Sequence, residues 1–182
     1  MRSRRFSTSF VCALVSAATA AHAAIRQFSY DPADAETRAS AGGVTFMIRQ
    51  SMLGGVRVLK MRATEAKAGA DLGPADADVL GRGGLARALG PAAPEHEFYQ
   101  ILPSDEGPAF VAALCPGSKK GWVALTPVRF GQDLQAVVFG DDPAGGPTRR
   151  CRTLAFTFHG EWRLPNGSAP STESSEAPSF PN

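Results

Sequence analysis

Apolar and polar residues alternate with a period of two over most of residues 24–164, as expected for strands with one buried face. The clearest run is 153–159, where Leu154, Phe156 and Phe158 alternate with more polar residues. Further strands are predicted at residues 27–30, 44–49, 56–62, 97–102, 121–130 and 134–139. Glycines in the loops 51–55 and 131–133 favour two hairpins.

Helical signals are short and end at glycine or proline. They predict helices at 74–80, 85–89 and 108–114, the last with Pro108 at its start and Pro116-Gly117 just past its end. These helices do not alternate regularly with the strands. The sequence therefore predicts one α+β domain over residues 24–164, built on a mainly antiparallel sheet of five to seven strands.

The N-terminus has the three parts of an export signal. Residues 1–5 are basic, residues 6–20 carry no charge and are largely apolar, and Ala21-His22-Ala23 supplies the small residues that a signal peptidase requires. We expect a signal peptide over residues 1–23, cleaved after Ala23. The spacing of Arg4, Arg5 and Phe6 departs from a twin-arginine signal, which favours ordinary unfolded export.

Removing the signal changes the charge of the chain. The 19 basic residues lose Arg2, Arg4 and Arg5, leaving 19 − 3 = 16 against 17 acidic residues, a net charge of −1. A nearly neutral chain has no general positive field, so no nucleic-acid partner is predicted. No other segment approaches the roughly 20 apolar residues of a spanning helix, so no transmembrane segment is predicted in the mature chain. Frequent Ala, Gly, Arg and Pro are typical of GC-rich bacteria, which favours a periplasmic or secreted location.

The last 18 residues form a separate compositional segment. Residues 165–182 consist mainly of Pro, Ser, Asn, Glu and Gly, with Phe180 as the one large apolar residue. Such a segment cannot bury enough surface to offset the entropy lost on ordering. We therefore expect a disordered tail.

Two cysteines remain after signal removal, Cys115 and Cys151. An even count in an exported chain favours a disulfide, which here would close a loop of about 35 residues. A reactive thiol is disfavoured, because Cys115 follows the predicted helix 108–114 and would lie at its negative end.

The sequence contains few groups suited to catalysis. After signal removal the histidines are His96 and His159, and residues 95–97, Glu-His-Glu, cannot chelate together because a strand points neighbours to opposite faces. No catalytic residue, metal ligand or cofactor is predicted. Two alternatives stay open: a small secreted hydrolase using either histidine, and a metal-handling protein using histidine with Met47, Met52 and Met61.

A basic cluster is the sequence's main functional candidate. Its members, brought together by the disulfide, are Lys119, Lys120, Arg149, Arg150 and Arg152. They form either two solvated loops or an anion-binding patch. The leading hypothesis is an exported, non-catalytic domain that binds an envelope component or a partner protein through this patch.

Overall fold

Eight antiparallel strands close into a barrel in the computed structural model, which describes residues 24–51, 55–91 and 93–163. The strands are β1 (Ala24–Pro32), β2 (Val44–Gln50), β3 (Val56–Ala63), β4 (Ala68–Pro74), β5 (Glu97–Ile101), β6 (Gly121–Leu125), β7 (Leu134–Gly140) and β8 (Arg149–Arg163). Each strand pairs with its neighbours in sequence, and β1 also pairs with β8 to close the ring. The predicted signal peptide and tail lie outside the described residues.

Short helices occupy three of the connections. They are α1 (Ala35–Ser40), a 3-10 helix (Ala77–Leu80), α2 (Gly84–Leu89) and α3 (Gly107–Leu114). The predicted helix 108–114 is confirmed as α3, which has proline in its first turn and ends at Cys115. Among residues 24–51, 55–91 and 93–163, no helix combines the length and hydrophobicity needed to span a membrane.

The predicted sheet of five to seven strands is wrong: the structure has an eighth strand, β4, and the sheet closes into a barrel. The sequence of β4, Ala68–Pro74, is rich in Ala and Gly and lacks the β-branched residues that indicate strands. Small side chains nevertheless suffice, since Ala68, Ala70 and Leu72 are buried in the barrel interior. An eighth strand also makes closure possible: in an up-and-down sheet, the first and eighth strands run antiparallel and can pair. The helices are too short to make the fold more than marginally α+β.

Side chains fill the barrel interior. Phe28, Tyr30, Phe46 and Phe156 are each no more than 2% exposed and belong to one continuous core. Helix α3, between β5 and β6, adds Phe110 and Leu114 to that core, so it closes the end of the barrel where those strands are joined.

A second apolar cluster lies on the outside of the barrel. Trp122 and Ala124 of β6 and Val137 and Phe139 of β7 pack there against Leu85 and Leu89 of α2 and their neighbours. Strands β6 and β7 are therefore covered on both faces. This explains why their apolar residues run together instead of alternating.

Candidate functional site

The predicted disulfide is confirmed. Cys115 at the end of α3 bonds to Cys151 near the start of β8, and their Cα atoms are 5.3 Å apart. That separation lies within the ordinary range for a disulfide. Cys151 occupies an irregularity of the β7–β8 pairing, where Arg150 lies opposite Phe139 but Arg152 lies opposite Val138. The crosslink therefore joins the helical cap to the wall of the barrel.

The turn carrying Lys119 and Lys120 is held by one carboxylate. Both backbone N–H groups donate to Oδ1 of Asp141 at 2.7 Å, and the Ser118 hydroxyl donates to the Asp141 carbonyl at 2.7 Å. Hydrogen bonds from the backbone N–H groups of Lys120 and Lys119 lower the pKa of the Asp141 carboxyl below its ordinary value. Both lysine side chains are exposed, and neither forms an ion pair within the described residues.

Two of the arginines dock on the carboxyl end of α3. Arg152 donates from Nε to the carbonyl of Leu114 at 3.1 Å, and Arg149 donates from Nη2 to the carbonyl of Pro116 at 2.8 Å. The last carbonyls of a helix lack partners within it and carry partial negative charge, so cations are favoured there. Arg152 is partly buried in this role, whereas Arg149 stays exposed.

Arg150 lies on another surface. It is opposite Phe139, a member of the outer apolar cluster, and its Nη1 donates to the carbonyl of Ala88 in α2 at 3.3 Å. The structure thus brings Lys119, Lys120, Arg149 and Arg152 together around residues 114–120 and separates Arg150 from them. We call the three exposed members, Lys119, Lys120 and Arg149, the disulfide patch.

The two histidines have different surroundings. His159 contacts Asp31 through Nδ1 and Oδ2 at 2.8 Å, on an exposed part of β8 and β1. His96 contacts the Pro94 carbonyl through Nδ1 at 2.6 Å. In the described part of the chain, neither histidine is hydrogen-bonded to a hydroxyl or a thiol, so no nucleophile is assigned to the hydrolase hypothesis.

Glu97 begins β5, whereas His96 precedes the strand and lies in different surroundings. Glu97 accepts a hydrogen bond from the Tyr99 hydroxyl on the interior side, whereas His96 lies outside, beneath α2. Over residues 24–51, 55–91 and 93–163, no group of three His, Cys, Asp or Glu side chains is placed to hold a metal. Met61 is buried in the core and Met52 lies outside the described residues, so no Met cluster can be assigned.

Two surface cavities were not foreseen from the sequence. One, of about 610 Å³, lies beside the β6–β7 loop and is lined by Glu95, Arg129, Gln132 and Asp133 among others. The other, of about 450 Å³, lies between the α2 region and the outer faces of β7 and β8, and both His96 and Arg150 line it. No local sequence signal marks either, because both are formed by residues from several elements. No protein-family model, curated protein or solved structure matches this chain.

Proposed function

We propose that the protein is an exported, non-catalytic domain that binds an anionic component of the cell envelope through the disulfide patch. The observation that carries the proposal is the fixed turn beneath Lys119 and Lys120. Its backbone is held by Asp141, and the disulfide ties its helix to β8. Fixing the backbone in advance reduces the entropy lost when a ligand binds.

The charges of the patch are available to a ligand. Asp141 contacts the backbones of both lysines, and its Oδ1 already accepts their two N–H groups. The next acid, Asp142, accepts the backbone N–H of Ala144 at 3.0 Å. The described residues carry 16 basic and 15 acidic side chains, 16 − 15 = +1, so three exposed cations at one end make a local field on a nearly neutral surface.

The filled barrel supports binding on the outside. Interior residues from all eight strands form one core with α3, so the interior does not serve as a ligand cavity. Phosphate and carboxylate groups are the chemistry that exposed Lys and Arg side chains recognise. An envelope polymer or lipid bearing these groups is therefore the ligand class proposed.

The test is co-sedimentation of residues 24–182 with purified lipopolysaccharide and, separately, with peptidoglycan sacculi. Binding to at least one should weaken several-fold as salt rises from about 50 to about 500 mM, because the attraction is screened. The double variant Lys119→Glu/Lys120→Glu should lose most of it. The matched control, Arg82→Glu/Arg129→Glu, makes the same charge change at exposed sites outside the patch and should bind like the wild type.

Unchanged binding by Lys119→Glu/Lys120→Glu, with circular dichroism showing an intact fold, would contradict the proposal. Equal losses in both double variants would show that net charge alone controls binding. Absence of binding to both materials would contradict the proposal that an anionic envelope polymer or lipid is the ligand.

A further inference from the structure

The cavity beneath α2 contains a buried histidine nitrogen with no partner. Nε2 of His96 is buried and makes no hydrogen bond within the described residues. A buried polar atom without a partner is unfavourable and rare in folded proteins, so each case calls for an explanation. We call this cavity the α2 crevice; its characteristic lining residues are Leu89, Pro94, His96, Val137 and Arg150.

The neighbouring carbonyl determines what His96 offers to a ligand. Nδ1 lies 2.6 Å from the carbonyl oxygen of Pro94, which can only accept, so Nδ1 carries the proton. In the neutral ring Nε2 then presents a lone pair. The histidine therefore requires a ligand group that donates a hydrogen bond, such as an N–H or a hydroxyl.

Arg150 offers the opposite chemistry in the same cavity. One of its nitrogens donates to the Ala88 carbonyl at 3.3 Å, which holds the guanidinium at the crevice and leaves its other N–H groups available. No acidic side chain is paired with Arg150 within the described residues. A guanidinium with free donors matches a carboxylate.

The remaining walls are apolar at the base and polar at the rim. Val137 is buried and Leu89 packs against the same outer cluster, whereas Gln135 and Thr153 are exposed and their side chains make no hydrogen bond in the described part of the chain. At about 450 Å³, the crevice is of a size typical of small-ligand sites.

We infer that the α2 crevice binds the free carboxyl end of a short peptide with a small apolar last residue. The carboxylate meets Arg150, and the side chain lies against Leu89 and Val137. Because Nε2 of His96 is covered in the free protein, the peptide displaces a neighbouring side chain so that its last N–H donates to Nε2. This site is separate from the disulfide patch, because Arg150 donates to Ala88 in α2 whereas Arg149 donates to Pro116, just past the end of α3.

Three probes on the wild-type protein test the inference by NMR titration of residues 24–182. N-acetyl-alanyl-alanine should give saturable shifts confined to residues around the crevice. The second probe, N-acetyl-alanyl-alanine amide, lacks the carboxylate. The third, N-acetyl-alanyl-lactate, keeps the carboxylate but has an ester oxygen in place of the last N–H. Each should bind at least about tenfold more weakly, a difference of about 1.4 kcal/mol.

Variants assign each preference to one side chain. Arg150→Gln should abolish the preference for the acid over the amide, and His96→Phe should abolish the preference for the peptide over the ester. Arg149→Gln, which removes the neighbouring cation, should keep both preferences, as should Lys119→Glu/Lys120→Glu.

Three results with the wild-type protein would overturn the inference: no saturable shifts up to about 10 mM probe, shifts centred away from the crevice, or equal binding of the acid and the amide. Retention of the preference for the acid by Arg150→Gln would overturn it as well. If a variant fails to fold, the comparison of the three probes on the wild type still decides. The result is independent of binding to envelope material, so either proposal can fail alone.

Discussion

At the scale of single residues, two interior tyrosines differ in whether their hydroxyl has a partner. The Tyr99 hydroxyl accepts the backbone N–H of Val58 at 3.3 Å and donates to Glu97. It acts on the side of β3 that faces β4, where Val58 has no paired residue because β4 pairs only with residues 60–63 of β3. The Tyr30 hydroxyl is buried without a partner in the described part of the chain. Burial raises the pKa of both phenols above the ordinary value, so both are neutral at physiological pH.

This contrast predicts different effects on stability when each tyrosine is replaced by phenylalanine. Tyr99→Phe should lower the free energy of unfolding by about 1–3 kcal/mol, because it leaves the N–H of Val58 and the carboxylate of Glu97 without their partner. Tyr30→Phe should be neutral or slightly stabilising, because it removes a buried hydroxyl that makes no hydrogen bond. Urea unfolding of both variants measures the difference. A larger loss in Tyr30→Phe than in Tyr99→Phe would show that this hydrogen-bond assignment is wrong.

At the scale of elements, the sequence was informative wherever local chemistry decides the structure. The alternation of Leu154, Phe156 and Phe158 predicted β8, and prolines predicted α3, because these signals act within a few residues. Strand β4 carries no such signal, since its small residues are placed by their neighbours in the sheet. The cysteine pair was predictable because the predicted mature chain contains only Cys115 and Cys151. The divergence of Arg150 from Arg149 was not, because it depends on a register shift in the β7–β8 pairing.

The close packing of the end of α3 against the barrel wall predicts that Gly140 of β7 does not tolerate a larger residue. A Cβ added to Gly140 of β7 would overlap Sγ of Cys115 and the Ser118 hydroxyl, whereas nothing lies within 4 Å of a Cβ added to Gly160 of β8. Neither glycine has a positive φ, so backbone strain does not distinguish them.

Gly140→Ala should therefore lower stability by about 2 kcal/mol or more, because the crosslinked helix end must move away. Gly160→Ala should change it by less than about 1 kcal/mol, with stabilisation expected from the reduced entropy of the unfolded chain. Thermal unfolding of the two oxidised proteins provides the comparison. Similar midpoints would mean that the helix end and disulfide yield easily to the added methyl group.

At the scale of the whole molecule, closure depends on one pairing that no local pattern reveals. Strands β1 and β8 are more than 100 residues apart in sequence, and whether they meet depends on the number of strands between them. When β1 and β8 pair, Arg26 of β1 lies between residues of the two strands that flank β1, namely β8 and β2. It donates through two nitrogens to the carboxylate of Glu161 on β8 and through a third to the side chain of Gln50 on β2, while its guanidinium carbon lies 5.1 Å from the centre of the Phe28 ring.

The Arg26–Glu161 pair is predicted to stabilise this closing seam. Their side chains are 21% and 11% exposed, so Glu161→Ala leaves a partly buried guanidinium without its counter-charge and should cost about 1–3 kcal/mol. The control is Lys60→Ala, which breaks the more exposed Lys60–Asp71 pair at 3.6 Å and should cost about 0–1 kcal/mol. Amide hydrogen exchange locates the effect: Glu161→Ala should accelerate exchange at Phe28 and Tyr30 more than at Val123 in β6, because the seam opens before the rest of the barrel. Equal acceleration at all three amides would mean that the pair stabilises the barrel as a whole and that the seam has no separate opening.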